Sequence, residues 1–308
     1  MPDWDAELEV TETLARRLFE TQFPELSPVR LSDFGVGWDN RAYLVNDAWV
    51  FRFPQRAMGG RTMDYETAVT PRLTSLPLAI SWSRFIGRPS STYPWRFSGA
   101  PLVAGESACR AHVSDEQRAS FAEPLGKFLA ALHAVDASRA RHWGAPGDWI
   151  QRMDLPARHP RWLEKLDELP SGLREEARDL ERIVATEEKE LTARGAWQGC
   201  PERVLCHGDL YSRHLIVRDG ALAGVIDWGD VHVGDAAVDL AIGFEFLPRA
   251  SRVHFRNAYG DVDDATWRRA RVRAAHHVAW ILQFAAQIED ADLVAECRRG
   301  LRHIADGD

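Results

Sequence analysis

Cysteine is scarce in this 308-residue chain, and the four that occur, Cys109, Cys200, Cys206 and Cys297, stand far apart with no metal-ligand spacing. Neither a disulfide framework nor a zinc knuckle is expected, and Cys206 is read as a packed, reduced thiol. No apolar run approaches the roughly 20 residues that cross a bilayer, so no membrane partner is expected. The amino terminus, Met1-Pro-Asp-Trp-Asp5, has neither a basic flank nor an apolar stretch, so no secretory signal is read and the expected compartment is cytoplasmic. Positive charge is also short. Against 46 Asp and Glu stand 38 Lys and Arg, a formal charge of −8, which argues against nucleic acid and mildly toward a cationic partner. No internal repeat, low-complexity tract or long flexible linker is apparent. What remains is 45% hydrophobic and 27% charged, an ordinary globular balance in a chain long enough for two modest domains.

Two short apolar runs each end at a carboxylate. Val204-Leu-Cys206 leads into His207-Gly208-Asp209, and Leu222-Ala-Gly-Val-Ile226 ends at Asp227-Trp228-Gly229; as strands they would carry both acids to one cleft. Phosphoryl transfer asks a protein chiefly for positioning and charge neutralisation. Asp209 is therefore the expected catalytic carboxylate that orients an acceptor hydroxyl. Asp227 takes the place of the metal-binding Asp in a kinase Asp-Phe-Gly segment, a hard oxygen ligand suited to Mg²⁺. His207 is expected to brace the loop. A lone Asp near Gly is usually a turn residue, and it is the joint pattern that carries this reading. Seven residues separate Asp227 from Asp235, which leaves no room for the long activation loop of a protein kinase, so the expected acceptor is a small alcohol.

With Gly234-Asp-Ala-Ala-Val-Asp-Leu-Ala241 following these motifs, the chain from about Asp33 to about Ala286 resembles the aminoglycoside phosphotransferase family, small-molecule kinases that share the protein-kinase-like fold. The resemblance implies an α+β, bilobal architecture: a nucleotide-binding lobe over 1–104, with a leading helix and a small antiparallel sheet, and a larger, mainly helical catalytic and substrate-binding lobe over 105–308. It implies ATP or GTP as co-substrate, Mg²⁺ or Mn²⁺ as metal, and a hydroxylated small molecule as acceptor, an antibiotic of the aminoglycoside or macrolide type. A metabolite kinase acting on choline, homoserine or a sugar is the rival.

The resemblance also assigns residues. Arg52, in Trp49-Val-Phe-Arg-Phe-Pro54, stands where the family carries its nucleotide-gripping Lys, and would hold phosphate oxygens while pairing with Glu66 on the next helix. Gly35 and Gly37 would let backbone N–H groups approach phosphate. Leu102, Val103 and Ala104 would meet the base from a hinge at Pro101–Glu106. His214 replaces the Asn that most of these kinases use for a second metal, as in macrolide kinases, and an imidazole there favours a softer ion such as Mn²⁺ or contact through water. Because Arg52 and His214 both depart from the pattern, a nucleotide-binding module without catalysis is the alternative from another class. Asp230, Glu245, Trp280 and Gln283 are expected in the acceptor pocket. Asp235 and Asp239 are expected to cap or brace, and His133 to be structural.

Periodicity predicts a leading helix over 5–23, strands over 29–34, 41–45 and 49–54 with a turn at Asn46-Asp47, a short helix over 63–71, and strands over 78–86 and 93–103. A helix capped by Ser114 with Gln117 follows. Next comes a single helix over 173–193, with the charged run 187–190 facing solvent. Helices over 236–246, 252–259, 265–288 and 292–304 complete the chain.

Overall fold

The computed structural model describes residues 6–197 and 203–307, so Cys200 lies outside the described residues. Helix α1 (Glu12–Gln22) begins at Thr11, whose hydroxyl accepts from the Leu14 N–H. It starts later than periodicity suggests because Glu7 and Leu8 donate their N–H groups to the Gln55 carbonyl and cannot join a helix. Strands β1 (Leu31–Val36), β2 (Asn40–Val45) and β3 (Trp49–Pro54) form a meander. Its second turn places Asn46 and Asp47 at φ 53° and 56°, the paired left-handed geometry that a tight hairpin favours.

Helix α2 (Ala57–Val69) follows, then β4 (Ala79–Ile80), β5 (Phe85–Gly87), β6 (Phe97–Pro101) and β7 (Glu106–Ser107). The first sheet is fully antiparallel, in the order β1-β2-β3-β6-β5. The predicted strands 78–86 and 93–103 are shorter than expected. Ser83 turns aside to donate its N–H to the Thr70 hydroxyl, and Tyr93 turns its own hydroxyl to the Pro54 carbonyl. α1 covers one face of this sheet through Phe19, which meets Phe51 edge-on at 4.6 Å, while Phe53 stacks on Phe97 at 4.6 Å. Burying each such ring stabilises the lobe by roughly 1.5–3 kcal/mol.

The second lobe has its own core. α3 (Asp115–His133) starts with a reciprocal capping box between Ser114 and Gln117, and α4 (Ala137–Trp143), α5 (Leu155–Asp167), α6 (Ser171–Glu176) and α7 (Arg178–Ala193) follow. The expected helix 173–193 is thus two helices that meet at Ala177. Next come β8 (Val204–Cys206), β9 (Leu215–Arg218), β10 (Ala221–Val225) and β11 (His232–Gly234). The chain ends in α8 (Ala237–Leu240), α9 (Ile242–Glu245), α10 (Arg252–Tyr259), α11 (Asp264–Gln287) and α12 (Ala291–Ala305). β9 and β10 form a hairpin that β4 joins in parallel and β7 antiparallel, and β11 pairs with β8. α11 packs against α5, α7, α8 and α12.

Glu187 corrects the expectation of a solvated charge run. It is buried, and it takes ion pairs from Arg268 at 2.8 Å and Arg271 at 3.0 Å, because α7 turns that residue toward α11. Two separate apolar clusters, one around α1 and the first sheet and one around α3 and α11, give the molecule its two lobes. It is an α+β bilobal fold.

Candidate active site

The loop after β8 is held from below. Asp239, fully buried, accepts the backbone N–H groups of His207 at 2.7 Å and Gly208 at 2.9 Å, and its carboxylate also meets His133 Nε2 at 3.1 Å. Burial is the largest influence and works against that charge, but the His133 hydrogen bond, the neighbouring histidines and the Gly208 N–H together outweigh it and hold the carboxyl down at about 2. Gly208 has φ 93°, and a Cβ there would run into the Asp230 carbonyl, so the middle position of His-Gly-Asp tolerates only glycine. His207 donates Nε2–H to the Ile226 carbonyl at 3.0 Å and accepts the Asp209 N–H on Nδ1. One imidazole thus ties the loop that carries Asp209 to the strand end that carries Asp227.

The two carboxylates do converge, on either side of His214. His214 Nδ1 lies 2.7 Å from the Asp209 carbonyl, which can only accept, so Nδ1 carries the proton. In the neutral ring Nε2 then presents a lone pair to Asp227 Oδ2, 3.5 Å away. A lone pair facing a carboxylate calls for a cation between them, so Asp227 and His214 are a donor set that fits a divalent ion, with an N,O character more tolerant of Mn²⁺ than an all-oxygen site. Asp227 sits at φ 65°, a strained left-handed conformation of the kind found where a side chain must be aimed.

Arg52 links this centre to the first lobe. From β3 its guanidinium forks, one arm pairing with Glu66 on α2 and the other reaching Asp227 Oδ1 at 2.5 Å. Ser98 lies against the same glutamate at 3.5 Å. The pairing of Arg52 with Glu66 follows the sequence expectation, and the bond to Asp227 goes beyond it. Burial disfavours the guanidinium charge, but Glu66 and Asp227 more than offset this; burial likewise works against the Asp227 charge, and the Arg52 guanidinium is the first of the charges that hold that carboxyl below the usual range.

Gly35 (φ 129°) and Gly37 lie at the β1–β2 turn, where Gly37 N–H bonds the Asn40 carbonyl at 2.8 Å. At the hinge, the Leu102 N–H is taken by the Ala48 carbonyl at 2.8 Å. Side chains of Leu102, Val103 and Ala104 border a cavity of about 580 Å³ shared with Leu78, Trp82 and Arg218, and neither Asp209 nor Asp227 lines it. Of the four expected pocket residues, Asp230 pairs with Arg152, and burial pushes its carboxyl up to about 6 against the pull of that arginine. Glu245 meets His277, Trp280 lies under Lys165 at 5.3 Å, and Gln283 donates to Glu168 at the end of α5.

Sequence reading missed the residues that approach from α11. His277 reaches Asp209 Oδ1 with Nε2 at 3.0 Å and Glu245 with Nδ1 at 3.0 Å. Trp38, at the glycine-rich turn, stacks on Phe284 with ring centroids 4.4 Å apart. Arg152 brackets the loop from the other side, donating to the Gly208 carbonyl and pairing with Asp148 and Asp230. Only the helical stripe 273, 277, 280, 284 signalled any of this, since those positions share one face.

No curated protein matches the sequence. Solved structures do match in fold. The GDP complex of wild-type aminoglycoside 2'-phosphotransferase-IIIa is 24% identical with a TM-score of 0.70, over 96% of this chain and 99% of that one. Macrolide 2'-phosphotransferase MphH from Brachybacterium faecium is 25% identical with a TM-score of 0.55, over 89% and 91%. Macrolide 2'-phosphotransferase type I is 21% identical with a TM-score of 0.58, over 95% and 98%. The profile of the phosphotransferase enzyme family (APH) matches residues 30–273, which span the first sheet, both carboxylate loops and the start of α11. The chain therefore belongs to the phosphotransferase enzyme family, as a kinase-like phosphotransferase with an alcohol group as acceptor.

Proposed function

We propose that this protein transfers the γ-phosphate of ATP or GTP to a hydroxyl of a small molecule, with Asp209 as catalytic carboxylate and Asp227 and His214 as metal ligands. The supporting observation is the meeting of Asp209 and Asp227 on the two nitrogens of His214, beside the fork of Arg52. His277 occupies Asp209 Oδ1 and leaves Oδ2 to orient the acceptor hydroxyl and take its proton. Arg52, freed from Asp227 by a nucleotide, is placed to hold phosphate oxygens while Glu66 keeps it oriented, and Gly35 and Gly37 bring main chain against the phosphates. A bound Mg²⁺ or Mn²⁺ would supply neutralisation of the phosphate charge. His207 braces both loops, and Leu102, Val103 and Ala104 bound the base.

Antibiotics of the aminoglycoside or macrolide type are the first acceptors in this reading, since the similar structures include a kanamycin complex and macrolide phosphotransferases; hydroxylated metabolites are the second. The acceptor enters between the glycine-rich turn and α11, with Asp230, Glu245, Trp280 and Gln283 around it. Among the described residues no helix is long and apolar enough to cross a membrane, and we place the enzyme in the cytoplasm. The test is turnover of purified protein with ATP or GTP, Mg²⁺ or Mn²⁺, and a panel of both acceptor classes. Phosphorylated product that disappears in Asp209→Asn supports the proposal. Nucleotide binding with no product across the panel sinks it and favours a module without catalysis.

A further inference from the structure

Helix α2 carries Glu66, the partner of Arg52, yet its own sequence does little to fix it in place. Its N-cap, Arg56, supplies no side-chain cap, and Gly59 and Gly60 stand in its first turn, where glycine weakens a helix. Its position must come from packing. One face, with Thr62 and Glu66, lies against Asp227-Trp228-Gly229 and Arg52: a Cβ on Gly229 would stand 3.4 Å from Thr62 Cβ. The stripe 61, 65, 68 turns instead to the second lobe.

There Arg61 lays its guanidinium over the Trp149 ring at 4.4 Å and donates Nε–H to the Tyr65 hydroxyl at 2.8 Å, while the Tyr65 ring lies 6.3 Å from the same indole. One turn further on, a Cβ on Gly144, at the end of α4, would stand 3.2 Å from Ala68 Cβ. Trp149 Nε1 is sealed from solvent and has no hydrogen-bond partner among the described residues, so the indole is engaged through its ring face, as a cation–π pair requires.

Trp149 belongs to a segment fastened to the Asp209 loop. Before it, Gly147 bridges Val233 in β11, and the Pro146 carbonyl takes the Val233 N–H at 2.8 Å. After it, the chain turns through Gln151 at φ 55°, a left-handed conformation that few side-chain-bearing residues adopt. Arg152 then donates Nε–H to the Gly208 carbonyl at 3.1 Å and pairs with Asp148 and Asp230. A continuous path therefore joins Glu66 to the Asp209 loop: along α2 to Arg61, across to Trp149, and three residues on to Arg152.

We propose that Arg61 and Trp149 are positioning residues that set α2 against the second lobe, so that nucleotide binding at Arg52 is coupled to the Asp209 loop. Without their contact Glu66 drifts with α2, and the fork of Arg52 loses its orientation. The inference deepens the phosphotransfer reading, on which the role of Arg52 toward phosphate rests. Proximity along a path is not coupling until a cycle of variants shows it.

The experiment is calorimetric titration of the full chain with ADP and with GDP, over the wild type, Arg61→Ala, Trp149→Ala and the two combined. Each single change should weaken nucleotide binding about three- to tenfold, and the combination no more than about twofold beyond either, since both remove one contact. Arg61→Lys and Trp149→Phe, which keep a cation on a ring, should stay within about twofold of the wild type. In a Glu66→Gln background, where α2 no longer orients Arg52 through an ion pair, Trp149→Ala should cost less than about twofold. A contact that only props the fold would weaken binding equally with and without Glu66. Affinity unmoved by both single changes, losses that multiply in the combination, or an equal loss in the Glu66→Gln background would overturn the proposal. If Glu66→Gln does not fold, the Arg61 and Trp149 cycle with its two conservative variants decides. The two readings fail separately: a wild type that binds nucleotide with an affinity indifferent to Arg61 and Trp149 leaves phosphotransfer standing, whereas affinity that depends on them, with no acceptor ever phosphorylated, counts against phosphotransfer alone.

Discussion

His277 Nε2 stands 3.0 Å from Asp209 Oδ1, and the opposite ring nitrogen stands 3.0 Å from Glu245. Carboxylates only accept, so both nitrogens must donate and the ring is an imidazolium. The Asp209 carboxylate is therefore clamped by a cation that reaches it from α11, 68 residues further along the chain.

That clamp predicts a pH dependence. Burial opposes the charged ring, but Glu245 and the Asp209 bond more than offset it, so His277 titrates above its ordinary value. A histidine raised on folding contributes stability that is fully present below the unfolded value near 6.5 and is lost as pH rises through the folded one. Turnover and thermal stability should both fall on that alkaline limb. In His277→Asn the limb should vanish from the stability profile, with kcat reduced roughly 10- to 100-fold and nucleotide KM little changed. An unaltered pH profile would count against the clamp.

Asp209→Asn should lower kcat by about 10²- to 10⁴-fold while leaving nucleotide binding largely intact, because the loop is held by His207 and Asp239 rather than by the Asp209 side chain. Asp227→Ala should abolish metal-dependent turnover. Steady-state kinetics beside nucleotide titration separates the two.

Arg52→Ala should act twice. It removes the proposed phosphate contact and leaves Glu66, 1% exposed, without its counter-charge; an uncompensated buried acid costs about 3–5 kcal/mol. Arg52→Lys should recover much of the stability but not the fork, since one ammonium cannot hold Glu66 and Asp227 in two directions. Chemical denaturation and nucleotide KM of both variants check this.

Trp38 on Phe284 joins the glycine-rich turn to α11 across the cleft mouth. Removing the stack by Trp38→Ala should cost about 0.5–1.5 kcal/mol of closure, and it should show as faster amide exchange over residues 35–40 and a raised acceptor KM with global stability nearly unchanged.

How much of this was legible beforehand follows from range. Asp209, Asp227, His207 and His214 fall in one short stretch whose spacing reflects two strands and a loop, so sequence placed them together. Ser114 and Gln117 announced a capping box because both partners lie within one turn. Glu187 misled, because a charged residue's partners on another helix leave no trace in its neighbours. His277 was passed over for the same reason: on a periodic helix it looks like any other buried polar residue.

By itself the sequence determined the family, the two-lobed class, the carboxylate pair and Arg52 with Glu66, because local strand, turn and cap preferences are written into adjacent residues. Only tertiary packing decided which groups the second lobe turns toward those carboxylates. The roll of α11 about its axis is set by burial against α5, α7 and α12, and that rotation brings His277 to Asp209.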